Sequence, residues 1–180
     1  MVMALDLGLA TLGWSAAELQ KDGTPLDNLG FIGTEKSDKK RDVLSSHDDL
    51  RRARELFTAL DEKVRVYSPR VLIVERKSLP RNSSTAGKIS MAWGVFAAIA
   101  QARDLPVVQA SPQEVRRFFE LPKKASKDDV TAAVIQTVHG AGAMLGRAAF
   151  NKADRQHPID ATAALYACLE SEIVRAVRPR

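Results

Sequence analysis

Val71-Leu72-Ile73-Val74-Glu75 is the stretch that decides the fold. Four aliphatic residues in a row, bounded by Ser68-Pro69 before and a basic, Ser-rich stretch after, read as a strand that is apolar on both faces. That is the pattern of a central strand in a parallel sheet. The run ends in a carboxylate. Upstream, Leu50, Ala53, Leu56, Leu60 and Val64 recur at helical spacing, so an amphipathic helix is predicted over Ser46–Tyr67. Further upstream, Val2-Met3-Ala4-Leu5 repeats the pattern of the first run and also ends in a carboxylate, Asp6. A second strand is expected around Leu12–Leu19 and a third around Leu29–Thr34. Asp22-Gly23 marks the turn between them, and the three strands form an antiparallel meander.

Downstream, Arg76–Lys88 reads as a basic loop, Ile89–Ala102 as a helix apolar nearly all round, and Pro106–Ala110 as a short strand. Ser111-Pro112-Gln113-Glu114 is a capping box with proline at the first helical position, and it opens a short helix to Phe119. Leu121–Lys127 is a basic loop. Ser126 and Asp129 cap a helix to His139, Gly140–Arg155 reads as irregular, and Pro158 is expected to open a last helix to Ala176. The order predicts one α/β domain over residues 1–180 with a mixed five-stranded sheet, three antiparallel strands followed by parallel ones.

The two strand-end carboxylates carry the chemistry. In an open α/β sheet, ligands bind beyond the carboxyl ends of the strands. If the Asp6 and Glu75 strands are parallel neighbours, their ends lie about 5 Å apart. Carboxylates that close do not both stay ionised without a cation. His157 and Asp160, three residues apart in His157-Pro158-Ile159-Asp160, face the same way on a helix. Asp6, Glu75, His157 and Asp160 together make an oxygen-rich site for Mg²⁺ or Mn²⁺. Such a site suits two-metal phosphodiester hydrolysis. Each residue also has a plainer reading. Asp6 can cap a turn, Glu75 can pair with Arg76 or Arg81, and Asp160 suits the first turn of a helix. Only their combination with the strand order points to catalysis.

Composition bounds the classes. Lys and Arg number 27 against 22 Asp and Glu, for a net charge of +5, which fits a polyanionic partner. The only cysteine, Cys168, excludes an intramolecular disulfide and a Cys-rich zinc site and fits a reducing cytoplasm. Neither a membrane span nor a signal peptide is expected. Arg76, Lys77, Arg81 and Lys88 on one side of the site, and Lys123, Lys124 and Lys127 on the other, are candidate phosphate contacts. Arg51, Arg52 and Arg54 fall on the polar side of their helix and read as solvated.

Taken together, Asp6-x-Gly8-x-x-Thr11-x-Gly13-Trp14, Leu72-Ile73-Val74-Glu75, Lys124-Ala125-Ser126-Lys127 and the stretch from His157 to Ala167 (HPIDATAALYA) resemble the RuvC-type Holliday junction resolvases. The resemblance implies a ribonuclease H-like fold and a homodimer that nicks two strands of a four-way DNA junction symmetrically, with two Mg²⁺ per site and Mn²⁺ as a substitute. It implies that Asp6 bridges the metals, that Glu75 and Asp160 each hold one, and that His157 ligates a metal or manages a proton. It also implies that Lys127 approaches the cleaved phosphate and that a helix near Ile89–Ala102 builds the dimer. A branch-migration helicase partner cannot be read from the residues. Two departures stand out. Leu7 replaces a proline common in the family, and Arg76–Lys88 holds no aromatic residue to stack on a junction base, Leu79 being the nearest apolar substitute. Other readings are a flap or branched-DNA nuclease, an actin-like or sugar-kinase-like ATP-binding domain, and a catalytically dead nucleic-acid-binding module. No second Asp-x-Gly strand supports the ATP-binding one.

Overall fold

The first strand, β1 (Val2–Asp6), is buried along its whole length and lies at the centre of the sheet. The computed structural model describes residues 1–37, 44–76, 81–147 and 152–179. β1 pairs antiparallel with β2 (Thr11–Ala17), which pairs antiparallel with β3 (Leu26–Gly33). On its other side β1 pairs parallel with β4 (Leu72–Glu75), and β4 with β5 (Val107–Ala110), giving the order β3-β2-β1-β4-β5. The mixed five-stranded sheet is therefore the expected one.

Alternate residues of a strand face opposite sides of a sheet, and the two sides have separate cores. Met3, Leu5, Leu72 and Val74 pack against α1 (Ser45–Tyr67) and α2 (Ser83–Ala102) through Leu56, Leu60, Val64, Phe96 and Ile99. Val2, Ala4 and Ile73 pack on the opposite face against α3 (Pro112–Phe118), α4 (Lys127–Thr137), α5 (Ala141–Arg147), α6 (Lys152–Ala167) and α7 (Glu172–Val177). The period of two then decides where the strand-end carboxylates go. Asp6 follows Ala4 and Glu75 follows Ile73 on the side covered by α6.

Several boundaries differ from expectation. α2 begins at Ser83, inside the predicted loop, because the Asn82 side chain accepts the Thr85 N–H at 3.2 Å and caps it. Ala141–Arg147 is helical rather than irregular. Ala141 and Leu145, four residues apart, both reach the core, and that burial outweighs the helix cost of Gly142 and Gly146. Pro158 lies inside α6 instead of opening it. The last helix is split: α6 stops at Ala167, and Ser171 caps a separate α7 by accepting from Val174 N. Arg52 is not solvated. It is 1% exposed, and its guanidinium donates to the Thr34 hydroxyl at 3.0 Å and the Thr34 carbonyl at 3.3 Å. Among the described residues no helix is long and apolar enough to cross a membrane.

Candidate active site

Asp6 and Glu75 end adjacent parallel strands, one residue beyond the paired Leu5 and Val74. Asp160 comes from α6, about two turns after the helix begins at Lys152. One carboxylate oxygen from each of the three lies within 4.8 Å of the other two. Asp6 is fully buried, Asp160 is 8% exposed and Glu75 is half-buried. Asp6, Glu75 and Asp160 are thus brought together as expected.

A glycine lets α6 come this close. Gly13 sits opposite Asp6 in the β1–β2 ladder. A Cβ there would stand 2.1 Å from the His157 carbonyl carbon and 2.6 Å from the Pro158 nitrogen. Those distances are far inside van der Waals contact, so any side chain at 13 would push α6 off the sheet. Pro158, with no N–H, ends one i→i−4 bond at this point. The Thr162 hydroxyl donates to the Pro158 carbonyl at 2.7 Å.

His157 points to Asp6 rather than to Asp160: its Nδ1 lies 2.6 Å from Asp6 Oδ2, with the side chain 31% exposed. Since α6 starts at Lys152, His157 lies inside the helix and caps no end of it. Lys127 is the first residue of α4, positioned by the Ser126–Asp129 capping box. Its ammonium lies 2.9 Å from Asp160 Oδ2. Partial burial pulls the Lys127 pKa down, but the charges of Asp160, Asp6 and Glu75 together with the Asp160 hydrogen bond outweigh this and leave it raised. It places a positive charge at the carboxylate cluster.

A cavity of about 180 Å³ opens beside the cluster, lined by Glu75, Arg116, Ser126, Lys127 and Asp160 with apolar residues of α3 and α4. Two polar residues here were not foreseen. Arg116 enters from α3, where its Nε donates to the Ala125 carbonyl at 3.3 Å. Gln156 donates to Asp160 Oδ1 at 2.7 Å. The capping box phases α3, but only the tertiary packing of α3 beside α4 puts Arg116 at the site. The i,i+4 spacing of Gln156 and Asp160 was a usable signal.

The basic candidates divide. Arg76 directly follows Glu75, is exposed, and its backbone N–H donates to the Ala110 carbonyl at 2.7 Å. Arg81 is exposed just before α2. Lys123 and Lys124 are exposed on the α3–α4 connection, Lys123 with Arg116 and Arg117 around a neighbouring hollow. Lys88 lies within α2 and stands 3.9 Å from Asp49 of α1, so it braces two helices. Lys77 and Leu79 lie outside the described residues.

The donor set fits a hard divalent cation: three carboxylates with converging oxygens, no sulfur, and one imidazole. Comparisons with known proteins give the family. The family model described as crossover junction endodeoxyribonuclease RuvC matches residues 2–168. A protein of that name from Gluconobacter oxydans (strain 621H) is 30% identical over 142 residues, covering 78% of each chain. One from Prochlorococcus marinus (strain AS9601) is 28% identical over 134 residues, covering 74% of this chain and 79% of the relative. Among solved structures, T. thermophilus RuvC in complex with a Holliday junction substrate superposes with a TM-score of 0.67 at 18% identity, covering 92% of this chain and 90% of that one. The yeast mitochondrial Holliday junction resolvase Ydc2 gives 0.66 at 14% identity, covering 98% and 81%. With its ribonuclease H-like sheet and a family match over nearly its whole length, the chain belongs to the RuvC family of crossover junction endodeoxyribonucleases.

Proposed function

We propose that the chain is a Mg²⁺-dependent endonuclease that resolves four-way DNA junctions by paired symmetric nicks, acting as a homodimer. The observation that carries the reading is the convergence of Asp6, Glu75 and Asp160 within 4.8 Å at the carboxyl ends of β1 and β4, in a chain of this family. Asp6, Glu75 and Asp160, with His157, would hold the metal. Two bound Mg²⁺, for which Mn²⁺ can substitute, would orient the attacking water and stabilise the leaving oxygen. The residues of the chain do the rest. His157 holds the Asp6 carboxylate through Nδ1. Lys127 supplies positive charge where the scissile phosphate gathers negative charge in the transition state. Arg116 and the exposed Arg76, Arg81, Lys123 and Lys124 bind backbone phosphates, which gives salt-sensitive affinity.

The outward face of α2 supports the homodimer. Gly87, Ser90, Gly94, Ala97 and Ala98 are exposed small residues that let a second helix approach closely, and Met91, 39% exposed, adds an apolar side chain beside them. The test is cleavage of a synthetic four-way junction in Mg²⁺, beside flap and linear duplexes, with ATP hydrolysis followed in parallel and the mass of the protein measured in solution. Paired nicks in the junction, with no ATP hydrolysis, are expected. Preferential cutting of flaps would replace the junction reading with that of a branched-DNA nuclease.

A further inference from the structure

We propose that Gln156 is a positioning residue for the acidic site: its amide fixes the orientation of the Asp160 carboxylate toward the cation. The proposal rests on the metal-dependent nuclease reading and assigns a residue to the same site.

The Asp160 carboxylate is held from two sides by different donors. Gln156 Nε2 donates to Oδ1 at 2.7 Å, and Lys127 Nζ lies 2.9 Å from Oδ2. An ionised carboxylate only accepts, so the amide must present its N–H₂ end to Asp160. The other end of the amide, Oε1, stands 3.4 Å from the Thr131 hydroxyl of α4, and that hydroxyl donates to the Lys127 carbonyl at 2.9 Å. The single hydroxyl proton serves one acceptor at a time, so Gln156 lies against the helix that carries Lys127, within reach of Thr131. Its own side chain is half-buried. Lys127, by contrast, is 72% exposed on a long flexible stem. Of the two donors, the amide is the one whose position the fold fixes. A carboxylate pinned at one oxygen has little rotational freedom left to lose when it ligates, and such supporting hydrogen bonds typically change metal affinity about 10–100-fold.

A Gln–Asp pair at i,i+4 also staples a helix without any role at the site. The test separates these. Gln156→Met keeps the length and removes the donor, and Gln156→Asn keeps the amide but shortens its reach. Binding of Mn²⁺ to each full-length protein is measured by electron paramagnetic resonance of the free ion, beside thermal unfolding and junction affinity in Ca²⁺. The expected result is a Mn²⁺ Kd raised about tenfold or more in both variants. Junction affinity should stay unchanged, and the lost cleavage rate should be recovered at saturating metal. A Mn²⁺ Kd equal to the parent's, with only the melting temperature lowered, makes Gln156 a helix staple and overturns the proposal. If the parent protein binds no Mn²⁺, or if Asp6→Asn binds it as the parent does, the metal-site reading itself falls, and the two failures are told apart by the parent and Asp6→Asn controls.

Discussion

Two ionic clusters sit on opposite faces of the sheet, and they are built on different plans. At the start of α1 every carboxylate stands within ion-pair reach of a guanidinium or an ammonium group. Asp48 pairs with Arg51 at 2.8 Å, Arg51 also meets Glu55, and Asp49 stands between Arg52 at 3.7 Å and Lys88 at 3.9 Å. The Ser37 hydroxyl, then Arg51, hold the Asp48 carboxyl well below the usual range. On the α6 face, three carboxylates converge within 4.8 Å and draw on the same ammonium, that of Lys127. The first arrangement needs nothing from outside to stay charged. The second gathers negative charge in one place, which is unfavourable for folding and favourable for holding a divalent cation. Burial and ion pairing alone do not mark a site; like charges brought together do.

The largest expected effect tests that contrast directly. Asp6→Asn and Glu75→Gln each abolish junction cleavage in Mg²⁺ and leave junction binding largely intact, because ligation needs the charge and affinity comes from basic residues elsewhere. Both variants should also melt at or above the parent's temperature without metal, since each removes a repelling charge. Retained cleavage by both would remove the metal-site assignment.

Next in size is the balanced cluster. Arg52→Leu strips the buried cation from Thr34 and Asp49, and breaking such a pair costs about 3 kcal/mol. Urea unfolding should show that loss, while the single-turnover rate of the folded protein is unchanged. A rate that falls with stability retained would mean that the α1 cluster serves the reaction.

The clusters were not equally legible in the sequence. β1 and β4 were plain, since an uninterrupted apolar run has few alternatives and a strand's period of two fixes which side its terminal carboxylate faces. The pairing of Asp6 with Glu75 followed from that. A helical wheel puts Arg52 in solvent because it sees only the helix, whereas the residue that covers it, Thr34, comes from the end of β3. Proline favours a helix start, which is where the sequence alone puts Pro158; its close approach to Gly13 of β2, inside α6, is a tertiary contact. Arg116 reaches the cavity only through the packing of α3 beside α4. What was missed depends on tertiary neighbours; what was read depends on local period.

Lys127→Ala removes a cation that the three carboxylates share, and the effect should be smaller than that of losing a ligand. The single-turnover rate is expected to drop about 10²-fold, as when one transition-state donor is removed. Junction affinity should fall by much less, because many other basic residues contribute to it. If affinity collapses and the rate at saturating junction does not change, Lys127 is a backbone clamp only.

The smallest effect concerns His157, which belongs to the acidic cluster by contact but not by chemistry. Its Nδ1 is committed to Asp6 at 2.6 Å, so the other ring nitrogen is the one available to a metal or to a proton. Mg²⁺ demands near-ideal octahedral geometry and gives up water reluctantly, whereas imidazole is a softer ligand that suits Mn²⁺ better. His157→Asp should therefore stay active, since a carboxylate there restores an oxygen ligand. His157→Ala should lose about tenfold or more in Mg²⁺ and recover part of that in Mn²⁺, which tolerates an incomplete ligand set. The structure sharpens what a bystander role would look like. His157 lies inside α6 and caps no helix end, so a bystander could act only by stiffening Asp6. Single-turnover rates of both variants in each metal decide the matter: an Ala variant at full rate in Mg²⁺ takes His157 out of the site and leaves the three carboxylates as its whole ligand set.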